Sequence, residues 1–168
     1  MTGTLDLTDD SQTDQLKHAI KHMPDYPVTH IGWNTSYARQ FLKVPGISFN
    51  MLQKTLVGPI GSIFIRDVKK AGRSIFLWTV NEEHWMQWSI KKEVDGVITD
   101  DPKKYLEVCR NYNGEAPKLL WKQLGPVFFY SALGFAFNFV LRIKYGFRVD
   151  IKSVNRSVKE ARAQGYPA

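Results

Sequence analysis

The sequence predicts an α/β fold built on a parallel sheet, and three observations carry that prediction. Four short apolar runs recur along the first two thirds of the chain, at Val28–Trp33, Ile47–Leu52, Ser74–Val80 and Val94–Thr99. Segments with helical periodicity separate them. The third run, SIFLWTV, holds no charge and is rich in β-branched and aromatic residues, as a strand covered on both faces requires. Parallel strands need a crossover between them, and a strand–helix–strand repeat supplies it.

Residues 1–12 are polar and acidic, lack the apolar core of a signal peptide and read as disordered. From Thr13 to His22, with Leu16, Ile20 and Met23 at helical steps, the chain reads as a helix that Pro24 and Pro27 stop. His18 and His22 stand at i, i+4 on it, a spacing able to bind a metal. Without a third ligand in the pattern, a solvated helix face is the simpler reading. Val28–Trp33 is the first strand, and His30 inside it is expected to be a packed, hydrogen-bonded histidine. A helix over Tyr37–Leu42 follows, capped by Asn34 or Ser36. Pro45 and Gly46 turn the chain into the Ile47–Leu52 strand. Gly58 and Pro59 open a helix that runs to Ala71, with Ile60, Ile63, Phe64 and Val68 as its core-facing stripe, and Gly72 closes it.

After Ser74–Val80, Asn81 is the expected N-cap of a helix over Glu82–Lys92. Its acids fall in the first turn and Lys91 and Lys92 in the last, where the helix dipole favours each. Val94–Thr99 is the fourth strand. Asp100 is expected to cap the helix that Pro102 opens, whose apolar side reads as Tyr105, Leu106 and Cys109. Cys109 is the lone cysteine, so no internal disulfide forms and a reducing, intracellular compartment fits. It reads as a buried small apolar residue.

The net charge of +7 is not spread along the chain. Residues 1–117 hold 14 Lys/Arg and 14 Asp/Glu, whereas residues 118–168 hold 9 Lys/Arg against Asp150 and Glu160. The whole excess therefore flanks the most apolar segment, LGPVFFYSALGFAFNFVL at Leu124–Leu141. That pattern points away from nucleic acid and towards a membrane-flanking tail. Eighteen helical residues span about 27 Å, enough for a thin bilayer. Gly125, Pro126, Gly134 and Asn138 leave a spanning helix, a hairpin and an interfacial helix all open. Four regions are expected: a disordered 1–12, an α/β unit over 13–114, a hydrophobic membrane-associated segment over 115–146 and a basic tail over 147–168.

The WTVN at Trp78–Asn81 and the VDGVITDDP at Val94–Pro102, joined by a helix, resemble the last two strands of the glycerophosphodiester phosphodiesterase family. The THIGW at Thr29–Trp33 and the SFNM at Ser48–Met51 are similar to the two preceding strands of its fungal members, including the phosphatidylglycerol phospholipase C type. The likeness runs over about residues 13–112. It implies a (β/α)8 barrel, of which this chain carries the last four β-α units, followed by the hydrophobic helix or hairpin. A complete barrel takes about 200–250 residues, more than the 168 here.

The resemblance further implies hydrolysis of glycerophosphodiesters or phospholipids of the phosphatidylglycerol type, with a Mg²⁺ or Ca²⁺ ion and two histidines as general acid and base. No histidine in this sequence is followed by Arg-Gly, the family's first motif. No catalytic residue or metal ligand is therefore expected here, and the chain alone is expected to be inactive. Chemistry in such barrels sits at the C-terminal strand ends, which makes Trp78, Asn50 and Trp33 the expected substrate-pocket residues. Trp78 carries the family's tryptophan beside the substrate, with Phe76 deeper on the same face. Four strands of a closed ring leave two open edges. A second copy or a missing N-terminal half is the expected partner, and a non-catalytic, tail-anchored binding module is the alternative.

Overall fold

The structure is a computed structural model that describes residues 10–23, 26–115, 117 and 150–163, with twelve positions between 124 and 143. Four parallel strands form one sheet in the order β1-β2-β3-β4: β1 Val28–Gly32, β2 Ile47–Leu52, β3 Ile75–Trp78 and β4 Gly96–Val97. Helices join them in sequence, with α1 (Asp10–His22) ahead of β1 and a short α2 (Thr35–Ala38) leading into a 3-10 turn (Arg39–Lys43). Then come α3 (Gln53–Leu56), α4 (Pro59–Lys70), α5 (Glu83–Lys91), α6 (Pro102–Asn111) and a C-terminal α7 (Ile151–Ala163). The predicted parallel α/β architecture is what forms.

Strand alternation divides the sheet into two unlike faces. Ile47, Phe49 and Met51 of β2 are buried, as are Ile75 and Leu77 of β3. Phe49 meets Phe64 of α4 edge to face at 5.5 Å, so this is the helix-covered side. The residues between them, Ser48, Asn50 and Leu52 with Phe76 and Trp78, are only half buried. Ile31 of β1, level with Asn50, is 65% exposed on that same side. One face is a core and the other is open.

Several boundaries move by tertiary contact. β4 shrinks to two ladder residues where Val94–Thr99 was expected, although Ile98 still bonds Leu77 and Val80 across the sheet. The Tyr37–Leu42 helix splits into α2 and the 3-10 turn, with Asn34 Oδ1 accepting from the Tyr37 amide at 3.0 Å as its cap. On α4 the buried stripe is Gly61, Phe64, Ile65 and Val68, while Ile60 and Ile63 face solvent. The stripe is rotated because Gly61 sits against the Leu56 carbonyl, where a Cβ would come within 2.1 Å. On α6, Val108 turns inward while Leu106 and Cys109 are exposed, so the cysteine is not the buried residue expected. The helix has no second layer over that side among the described residues.

The C-terminal expectation needs the largest correction. The residues after Phe147 are expected as a short basic amphipathic helix, with Val154 and Val158 on one side, suited to an anionic surface; the helix forms as α7, but it lies along α1 and the 3-10 turn. Its apolar residues Val154 and Val158 are buried in the same core as Leu16 and Phe41. Asn155 Nδ2 donates to the Lys43 carbonyl at 3.3 Å, and Asp150 Oδ1 accepts from the Ser153 amide at 3.2 Å as the helix cap. That amide bond is the main reason the Asp150 carboxyl is held below its ordinary pKa. Seven of the eighteen positions of the expected hydrophobic helix or hairpin at 124–141 lie outside the described residues, as do the first nine of the region 1–12 expected to be disordered, whereas Asp10 to Gln12 are already helical. No helix among the described residues is long and apolar enough to cross a membrane, so the expected membrane association through 124–141 is withdrawn.

Replacing Val154 by alanine should cost about 2 kcal/mol, because two buried methyls leave a void between α7 and α1. Urea titration measures it. A loss within error of zero would mean α7 is not seated there.

Candidate functional site

In a parallel sheet all strands end at the same edge, so short loops from distant stretches of chain meet there. Two of the three sequence-predicted pocket residues do meet. Trp78, the last residue of β3, turns its indole across β2, and its Nε1–H donates to the Asn50 carbonyl at 3.2 Å. The Trp78–Thr79 peptide is cis. Asn50 Oδ1 is buried and has no hydrogen-bond partner among the described residues. Trp33 follows β1 directly; by register it is level with Leu52, the ladder partner of Trp78, and it is 37% exposed. The open face therefore carries a row of Trp33, Leu52, Trp78 and Ile98 at the strand ends. Below it lies a row of Ile31, Asn50, Phe76 and Gly96. Phe76 leans over Gly96, where a Cβ would stand only 3.0 Å from its ring.

A polar clamp borders this apolar floor, and the sequence reading missed it. Asn81 caps no helix. Its Oδ1 accepts from Thr99 Oγ1 at 3.0 Å and from the Asp100 amide at 2.9 Å, and its Nδ2 donates to Asp100 Oδ2 at 2.5 Å. Lys104 Nζ reaches the Asn81 carbonyl at 3.2 Å. The helix cap belongs to Asp101, whose Oδ1 accepts from the Lys104 amide at 2.9 Å, not to Asp100. WTVN and ITDDP are thus tied end to end across the sheet. The N-cap chemistry of Asn and Asp was legible, but which of two neighbouring candidates takes the cap depends on the loop across the ladder. Asn81→Ala should cost about 1 kcal/mol at this exposed site. Amide exchange should rise at Thr99–Asp101, and unchanged exchange would refute the clamp.

The histidines do not assemble a general acid–base pair. His30 is level with Phe49 on the helix-covered face, stacked on Phe41 at 4.6 Å with Tyr37 at 5.7 Å. Burial lowers its pKa to about 4, so the ring is neutral at pH 7. Its Nε2 has no partner among the described residues, so it is packed as expected but not hydrogen-bonded. His84 lies in α5 with Nε2 3.2 Å from Glu82 Oε2. A hard divalent cation needs several oxygen donors converging on one point. The strand ends offer one carboxylate, Asp100, already engaged by Asn81, and Asp101 is committed to its helix. Among the described residues no group of three or more His, Cys, Asp or Glu is placed to hold a metal. These residues do not fit the Mg²⁺ or Ca²⁺ that the resemblance implies.

The model of the glycerophosphoryl diester phosphodiesterase family matches residues 7–104, from just before α1 through all four strands into α6. The chain belongs to this family. Among curated proteins, a glycerophosphodiester phosphodiesterase of Caldanaerobacter subterraneus subsp. tengcongensis is 30% identical over 78 residues, 46% of this chain and 28% of the relative. The chain thus matches well under half the length of that relative. No solved structure matches it significantly. For this family member, the matched region holds the Trp78–Asn50 contact and the Asn81 clamp and ends three residues into the helix that Pro102 opens.

Proposed function

We propose that the chain is the C-terminal half of a (β/α)8 glycerophosphodiester phosphodiesterase and supplies one wall of its substrate pocket. Trp78, Asn50 and Trp33 line that wall, against a glycerophosphodiester or a phospholipid of the phosphatidylglycerol type. The observation that supports it best is the Trp78 indole held on the Asn50 carbonyl at the C-terminal ends of parallel strands. The divalent cation and the general acid and base come from a complementing half. A separate half suits the open edges better than a second copy does. With α1 ahead of β1 and α6 after β4, two copies closing a ring would stack two helices over each junction.

The test has two arms. Purified chain incubated with Mg²⁺ or Ca²⁺ and phosphatidylglycerol should release no diacylglycerol; turnover there would overturn the reading. A product extended upstream in frame through a His-Arg-Gly segment and a Glu-x-Asp pair should turn over. In it Trp78→Ala should lower kcat/KM by about tenfold or more, the loss of a substrate-positioning wall. An extended enzyme indifferent to that change would remove Trp78 from the pocket. The competing reading is a binding module without catalysis, favoured by the lack of converging carboxylates among the described residues. Absence of those motifs upstream would favour it.

A further inference from the structure

The helix ahead of β1 presents a feature that the phosphodiesterase reading does not use. Leu16 and Ile20 hold α1 down on the core, and α7 packs along it, so the helix is anchored from one side. His18 and His22 lie on its exposed side, one turn apart. Side chains at i and i+4 lean over the same surface, and here the two ring centroids are 4.2 Å apart, tilted by 40°. Neither ring forms a hydrogen bond or ion pair with the described residues, and Asp14, one turn back, is engaged by Lys17 at 3.1 Å.

We propose that His18 and His22 together form an exchangeable surface site for a borderline divalent transition ion, of which Zn²⁺ is the test case. Imidazole nitrogens bind Zn²⁺ at 2.0–2.1 Å, which sets two of them about 3 Å apart on one ion. Exposed rings already side by side reach that spacing by small side-chain rotations. His22 is the last residue of α1, where free carbonyls and the negative end of the helix dipole favour a cation. The Lys17 and Lys21 ammonium groups beside the pair oppose it, which makes the site weak and exchangeable. With two protein ligands, water fills the other positions. Imidazole donors select Zn²⁺, Ni²⁺ or Cu²⁺ over Mg²⁺ and Ca²⁺, so the site is distinct in chemistry from the ion the family resemblance implies.

The experiment is calorimetric titration of the full chain, expressed without a polyhistidine tag, with ZnCl2 and separately with MgCl2. Zn²⁺ should bind with unit stoichiometry and raise the melting temperature by mass action, and Mg²⁺ should do neither. His18→Asn and His22→Asn should each abolish both effects while keeping the metal-free circular dichroism and melting temperature, since both rings are exposed. Three results would overturn the proposal: no Zn²⁺ binding, a wild-type isotherm surviving in either variant, or equal binding of Mg²⁺.

Discussion

Replacing Phe49 by alanine will destabilise the chain by about 3–5 kcal/mol, a large share of the roughly 5–15 kcal/mol that holds a domain folded. Phe49 is fully buried at the centre of β2. Its ring stands edge to face on Phe64 at 5.5 Å and lies 6.2 Å from His30, with Ile75 as its ladder partner. Truncation removes the ring from between the sheet and α4, and both neighbours belong to regular elements that cannot collapse into the space. Phe76 is the control. It lies on the open face and is only half buried, so Phe76→Ala should cost clearly less. Guanidinium titration of both variants measures the difference. Equal losses, or a smaller loss for Phe49→Ala, would mean the two faces of the sheet have been assigned the wrong way round.

His30 should make the fold sensitive to mild acid. Its folded pKa of about 4 lies below the ordinary histidine value of about 6.5, so between those values the unfolded chain binds a proton that the folded chain refuses. Stability then rises with pH across that window. It is lost as pH falls from about 6.5 to about 4, by on the order of 3 kcal/mol, and levels off below. The cause is desolvation: the rings around it are Tyr37, Phe41 and Phe49, and none of them carries a negative charge to pair with an imidazolium. His30→Leu should flatten the profile over this range. It should change stability little at pH 7, because Nε2 has no hydrogen bond to lose among the described residues. A variant that keeps the wild-type acid slope would put the titrating group elsewhere.

Why some features were legible and others not follows from which interactions decide them. Ser74–Val80 could be read as a strand because an uncharged β-branched and aromatic run has few other uses in a soluble fold. Asn34 could be read as a cap because the amide it accepts from, Tyr37, lies only three residues later, within its own reach. The α4 stripe could not be placed to the residue. Apolar side chains at Ile60, Ile63, Phe64, Ile65 and Val68 allow two stripes about a turn-width apart, and the close approach of Gly61 to Leu56 chooses between them. Asn81 had a local use as a cap and a distant one across β4, and the distant partners, Thr99 and Asp100, won. The two valines of α7, Val154 and Val158, one helical turn apart, said only that one side is apolar. That this side covers α1 rather than a bilayer is a matter of what lies next to it.

By itself the sequence determined the order of strands and helices, the parallel pairing this order imposes and the family that WTVN and VDGVITDDP belong to. All of these rest on local periodicity and short motifs that neighbouring residues enforce. Only the tertiary structure decided which face of the sheet is covered, that Trp78 reaches the Asn50 carbonyl, that Asn81 joins β3 to β4, and that the last helix returns to the first. Each of these pairs residues far apart in the chain, and their energies exist only once the backbone has brought both partners to the same place.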